Sequence, residues 1–296
     1  MDFGALMALG AAVSWALAAL VSHRPASELG SIHFNRVRMI AALVIMAALL
    51  VLTGRPLNIA SDMWLPIILS GLIGVVFGDF FLFATMRRLG PRRTNILFAT
   101  NAIFAALLGW LFLGEAISVY TGLAILFGFA GVVLAVVYGK RKDLLHQWEA
   151  VMPPLWLGIA LGLMAAICQA LGVLLIRPVM AAGADPVATT LARIFVGAVV
   201  FWGTLPFDVA QRGKPLFPRG WSMVCVWLNG LFGLGVGAAM LLQALETTSV
   251  AKVTILSSTT PVLMLPFIWA RTGRMPAAGA WAGAILVVMS IGFLVF

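Results

Sequence analysis

Charge is scarce in this chain. Only 10% of its 296 residues are charged, against roughly 25% in a soluble globular domain. Hydrophobic residues make up 62%, and the mean hydropathy is +1.09, which excludes a soluble fold and points to a polytopic membrane protein. Cysteine is nearly absent. Cys168 and Cys225 each sit inside an apolar run and suggest neither a disulfide framework nor a Cys-based metal site. The three histidines, His23, His33 and His146, fall in polar connections without ligand spacing, so no metal is expected. Enzyme signatures are missing as well: there is no HExxH, no GxSxG elbow, no P-loop and no dinucleotide fingerprint. Neither an enzyme nor a cofactor is expected, and a primary ATP-driven pump would need its nucleotide-binding domain from a partner. The first residues, MDFGALMALGAAVSW, lack a basic n-region and a small-residue cleavage motif, and read as a retained first span.

Long apolar runs are what the chain has instead. A helical crossing needs about 20 apolar residues, and the runs between charged or Pro/Gly-rich breaks place spans near 4-22, 37-53, 65-86, 94-113, 117-138, 154-176, 187-206, 221-245, 250-270 and 277-296. They are too long for strands and do not alternate as a transmembrane barrel does. The fold class expected is therefore an all-α membrane protein of ten transmembrane helices. The longest polar connection, GKRKDLLHQWEAVMPP, falls at mid-chain. It divides the chain into a first five-helix repeat at 1-138, a basic linker at 139-153 and a second repeat at 154-296.

Self-comparison supports the duplication. An offset of 159 lays Gly71, Gly74, Gly78, Ile96, Thr100 and Trp110 on Gly230, Gly233, Gly237, Ile255, Thr259 and Trp269, and an offset of 155 lays Arg38 on Arg193. Five spans per copy is an odd number, so the second copy enters the membrane in the opposite sense. The repeats are inverted, the arrangement that gives a carrier two near-equivalent closures around a midplane site. Of the 19 Lys and Arg residues, all but Arg55, Arg177, Arg193 and Lys252 fall to one side when assigned to connections. The positive-inside rule makes that side cytoplasmic and puts both termini outside. It also accounts for the net charge of +9 without a nucleic-acid partner.

In a carrier the informative residues are polar groups in apolar helices, because burying them in lipid is costly. As substrate-binding candidates these are Asp79, Asn95, Asn101, Gln169, Gln243, Lys252, Ser257 and Thr259, with Trp15 and Trp227 as cavity walls. Arg38, Arg93, Arg193 and Glu246 are gating or charge-pairing candidates. Thr259 lies seven residues beyond Lys252, about 700° of helix, so the two share a face. Asn95 and Asn101 are roughly 120° apart by the same measure. Lys252 overlays Arg93 under the repeat offset, and reads either as a group for an anionic substrate or as a snorkelling helix end. Asp79 reads either as a proton carrier, through desolvation of its carboxyl, or as the partner of a nearby arginine.

The order of motifs resembles a known family. FLGE at Phe112 to Glu115, followed by ISVYTGLAILFGFAGVVL, and the parallel stretch STTPVLMLPFIWARTGRMPAAGAWAGAILVVMSIGFL are similar to the EamA branch of the drug/metabolite transporter superfamily. The chain departs from that pattern at Ala102, where a proline is expected, at Arg274, where an acid is expected, and at Trp15-Ala16, where Trp-Gly is usual. The resemblance implies a ten-helix bundle in the inner membrane, a cavity lined by helices 1-4 and 6-9, and peripheral helices 5 and 10. It implies a secondary transporter exporting or exchanging a small polar metabolite, with the lipid bilayer as its other partner; the first reading of Lys252 would make that substrate anionic, and the first reading of Asp79 would add proton coupling. The rival expectation is a non-transporting membrane subunit that binds or stabilises a partner protein. Substrate is not legible from membership.

Overall fold

In hydrocarbon every backbone N–H and C=O must find its partner within the protein, and a helix does so within its own segment. A computed structural model describes residues 2–56, 59–138, 152–211, 215–272 and 278–295, and among them there are helices and no strand. The first half runs through α1 (Phe3–Leu29), α2 (Ser31–Leu52), α3 (Trp64–Ser70), a π-helical segment Gly71–Phe77, α4 (Gly78–Ala99), α5 (Asn101–Leu113) and α6 (Val119–Tyr138). The second runs through α7 (Leu155–Ala181), α8 (Pro186–Gly203), α9 (Trp221–Asn229), a π-helical segment Gly230–Val236, α10 (Gly237–Ala244), α11 (Val250–Ser257), α12 (Thr260–Thr272) and α13 (Ala278–Val295).

These elements make ten membrane crossings. Among the described residues six helical stretches are long and apolar enough to cross unbroken, Ser61–Leu89 and Trp221–Ala244 among them. The fourth crossing is the end of α4 followed by α5, and the ninth is α11 followed by α12. The two halves correspond element by element. The offset of 159 lays Gly71–Phe77 on Gly230–Val236 and α5 on α12, and it brings the first residue of α6 onto the first of α13. The helix break after α4 at Thr100 thus falls on the break before α12 at Thr259. The chain is a multi-pass membrane protein of two inverted five-helix repeats.

Two differences from the sequence expectation move charges out of loops. The second span begins at Ser31 rather than near 37, so Arg36 and Arg38 are not loop charges but buried helix residues, 1% and 4% exposed. Partners inside the protein make this possible. Arg36 donates from Nε to the Phe201 carbonyl at 2.9 Å, from Nη1 to Asp208 at 2.6 Å and from Nη2 to Thr204 at 2.8 Å. The third-to-fourth connection is also not a loop, since α4 continues through Arg87, Arg88 and Arg93 to Ala99. Arg193, assigned to a connection by the charge count, lies inside α8. Most of the mid-chain linker, with Lys140, Arg141, Lys142 and His146, lies outside the described residues, as do Arg212, Lys214 and Arg274.

Small residues hold the centre. Ala8, Ala11, Ala12, Ala16, Ala165, Ala166 and Ala170 are fully buried on α1 and α7; without a hydrophobic drive between helices in lipid, close backbone approach supplies the packing energy. The fifth and tenth crossings, α6 and α13, pack along one another. A side chain on Gly131 would come within 2.7 Å of the Gly283 carbonyl oxygen, and Ser290 Oγ donates to the Ala124 carbonyl at 2.7 Å.

Candidate functional site

Two buried arginines occupy equivalent places in the two repeats. Arg38 and Arg193 each occupy the eighth position of their helix, α2 and α8. The π-helical segments carry glycine against both. A Cβ on Gly71 would stand 3.2 Å from the Arg193 carbonyl oxygen, and one on Gly230 would stand 3.3 Å from the Arg38 carbonyl oxygen. Each repeat therefore packs its third crossing onto the arginine-bearing helix of the other. Cross-repeat hydrogen bonds occur one residue earlier: Ser70 Oγ donates to the Gly172 carbonyl at 2.6 Å, and its repeat counterpart Asn229 donates from Nδ2 to the Ala18 carbonyl at 3.2 Å.

Arg38 is fully engaged. Its Nε donates to Asn35 Oδ1 at 2.8 Å, its Nη1 donates to Asn229 Oδ1 at 3.1 Å, and its Nη2 donates to Asp79 Oδ2 in a close ion pair. Its guanidinium also lies 4.6 Å from the centre of the Phe83 ring, within cation–π range. A buried ion pair is favourable only when further hydrogen bonds satisfy the remaining donors, and Asn35 and Asn229 do so here. Arg193 is treated differently. It is 5% exposed and its Nε has no hydrogen-bond partner.

Both arginines and Asp79 line one cavity of about 170 Å³, on the order of ten times the ~10–15 Å³ that a single water needs. Spans one to four and six to nine all contribute, through Trp15, Arg38, Asp79, Asn101, Gln169, Arg193, Asn229 and Ser257, with Leu82, Phe83, Met86 and Phe98 as apolar wall. Among the described residues α6 and α13 contribute none. Trp15 is pinned by its indole N–H, which donates to the Gly233 carbonyl at 2.9 Å inside the second π-helical segment. Asn101 opens α5 beyond the helix break, and its Oδ1 accepts from Ser258 at 3.4 Å across the two broken crossings.

The other sequence candidates lie elsewhere. Lys252 stands in the first turn of α11, where its N–H donates to the capping Ser249 Oγ at 3.4 Å, and it does not line the cavity. Thr259 donates to the Leu256 carbonyl at 2.7 Å and lines a second, smaller pocket. The shared face expected for these two residues is lost because the helix breaks between them. Gln243, in the last turn of α10, donates to Glu246 just beyond it. Trp227 and Arg93 are exposed. The side chain of Asn95 lies outside the described residues. Sequence reasoning missed Asn229; its signal was a polar residue immediately before glycine at the same place in both repeats, Ser70 and Asn229.

The cavity runs from mid-span toward Ser22 and Met86, at the end of the bundle that holds the first-to-second and third-to-fourth connections. The opposite end is closed by packing and polar contacts. Gly4 fits against Thr247 and Thr248, and Arg55 pairs with Asp185 at 2.8 Å. Glu115, the acid of FLGE, accepts from the Val250 N–H at 3.0 Å. Gly114 makes that reach possible: it takes the left-handed conformation, φ +66°, and turns the chain back onto α11.

A family model described as the EamA-like transporter family matches residues 2–137 and 156–296. No curated protein matches. A solved structure described only as "Crystal structure of protein" superimposes on 98% of this chain and 96% of its own, with a TM-score of 0.75 and 17% identity. It is one of 29 solved chains that match, and at that identity the likeness speaks for the fold alone.

Proposed function

Because the chain belongs to the EamA-like transporter family, we propose that it is a secondary active transporter of the inner membrane that exports or exchanges a small polar metabolite by alternating access. One observation carries the reading: a cavity at the repeat interface, lined by eight of the ten crossings and containing two arginines and a carboxylate within a largely apolar wall. A subunit that only bound or stabilised another protein would have no use for a charged internal cavity, which is costly to maintain in a membrane. The inverted repeats supply the second state. Exchanging the roles of the two halves would seal the end near Met86 and part the contacts at Arg55, Asp185 and Glu115.

Proton coupling, on this reading, runs through Asp79, the carboxylate that lines the cavity. Its release from Arg38 would accompany loading or unloading. Asp79→Asn should abolish gradient-driven uptake in proteoliposomes, and uptake that survives the substitution removes the proton role. The transport reading itself is tested by counterflow in liposomes against organic acids, amino acids, amines and organic phosphates. Flux of one class above protein-free liposomes supports it; no flux of any class points to the partner-binding alternative.

A further inference from the structure

Arg38 and Arg193 are repeat counterparts, yet only one of them is given an acid. Arg38 has Asn35, Asn229 and Asp79 on its three nitrogens. Arg193 is equally buried, lines the same cavity, has an unpartnered Nε and forms no ion pair among the described residues; Asp79 acts on it only through space. The reason is visible in the repeat. Asp79 is the second residue of α4, just after the first π-helical segment, and its counterpart, the second residue of α10 just after the other, is Ala238. Ala238 lines the cavity, and α10 packs on α8. The first repeat supplies a carboxylate for its arginine, and the second has a methyl group at the corresponding position.

Resting on the transporter reading, we infer that the missing acid is the substrate's: the site takes a small organic monoanion, a carboxylate on an apolar body, with its carboxylate on the Arg193 guanidinium beside Ala238. The charges set the valence. Arg38, Arg193 and Asp79 leave one positive charge in excess, which one carboxylate neutralises and a dianionic phosphate overshoots. The planar guanidinium fork matches a carboxylate in geometry, and a buried arginine without a counter-ion gains most from one. Leu82, Phe83, Met86 and Phe98 provide an apolar wall for the rest of the molecule.

The test uses the purified full chain in detergent with three probes: phenylacetate, its neutral isostere phenylacetamide, and inorganic phosphate. Phenylacetate should raise the thermal midpoint in a saturable way, and the other two should not. Arg193→Gln should weaken the phenylacetate response at least tenfold, with Arg193→Lys falling between. Ala238→Asp is the sharper variant. By supplying the internal acid it should raise the midpoint of the ligand-free protein and abolish the phenylacetate response, whereas Ala238→Asn should do neither. An equal response to acid and amide, a preference for phosphate, or a folded Ala238→Asp protein that still responds overturns the inference. If Ala238→Asp does not fold, the Arg193→Gln comparison decides. Counterflow with the same preparation separates this inference from the transport reading. Arg193-dependent phenylacetate binding without flux of any solute removes transport and leaves the anion site. Flux of a neutral or cationic solute that is indifferent to Arg193→Gln removes the anion site and leaves transport.

Discussion

Arg38 and Asp79 sit where a lone charge of either sign would be expensive, and each is tolerable only because the other is there. Removing one partner of a buried pair leaves an uncompensated charge and costs about 3–5 kcal/mol, whereas replacing both with apolar groups is often neutral. Arg38→Met and Asp79→Leu should therefore each destabilise the protein strongly, with the double variant recovering most of the loss; additive single losses in denaturant unfolding would show that the pair is not coupled. Glu246 offers a pH-dependent counterpart outside the spans. Burial pushes its carboxyl above the usual glutamate range, the Gln243 amide opposes that push, Asp185 adds to it and Arg55 opposes it. The folded protein thus keeps a proton at pH values where the unfolded chain has released it, so stability falls as pH rises from the ordinary glutamate range through the elevated one. Glu246→Gln should flatten that slope in thermal melts taken across pH, and an unchanged slope would assign it to another group. The sequence exposed Asp79 because a charge stands out in an apolar helix, and it matched Arg38 with Arg193 through the repeat offset while the charge count assigned both to connections. It left Lys252 open between a group for an anionic substrate and a helix end, because the depth of a residue at a helix start depends on where the helix is capped, here by Ser249.

At the scale of elements the glycines explain how the site is assembled. Gly172 on α7 meets Gly74 of the first π-helical segment so closely that a Cβ on Gly172 would lie 2.7 Å from the Gly74 Cα, while a Cβ on Gly74 would come 3.1 Å from Arg193 Nη2. Backbone on both sides leaves no flexible atom to yield. Gly172→Ala should cost about 1–3 kcal/mol, as overpacking does, and should lower transport by shifting Arg193; a variant of wild-type stability would mean the helices part without penalty. Glu115 acts through a helix end. It accepts from the first N–H of α11, near the positive end of the helix dipole, and joins the FLGE turn of one repeat to the broken crossing of the other. Glu115→Ala should lose about 1 kcal/mol, the usual worth of a cap, as read by thermal unfolding. The apolar runs and the FLGE turn were legible from residue order. The π-helical segments were not, because a wide turn is imposed by the neighbour against which the glycines pack.

The whole molecule has one cavity end and one closed end, and alternating access predicts that these exchange. Both native cysteines are buried, so engineered ones give a clean reading with an aqueous maleimide. Met86→Cys should label in the resting protein and Thr248→Cys should not; a transported solute should slow the first and speed the second, and labelling that ignores the solute would argue against a two-state carrier. The sequence by itself determined the ten crossings, the duplication and the inversion. Membrane helices must be apolar along about 20 residues, and an odd number of crossings per copy leaves no choice of sense. Only the tertiary structure decided which polar residues meet. Arg38 on α2 finds Asp79 on α4 and Asn229 on α9 through close packing that the linear order of residues does not encode. The difference between two equivalent arginines, one satisfied and one not, exists only once the helices are packed.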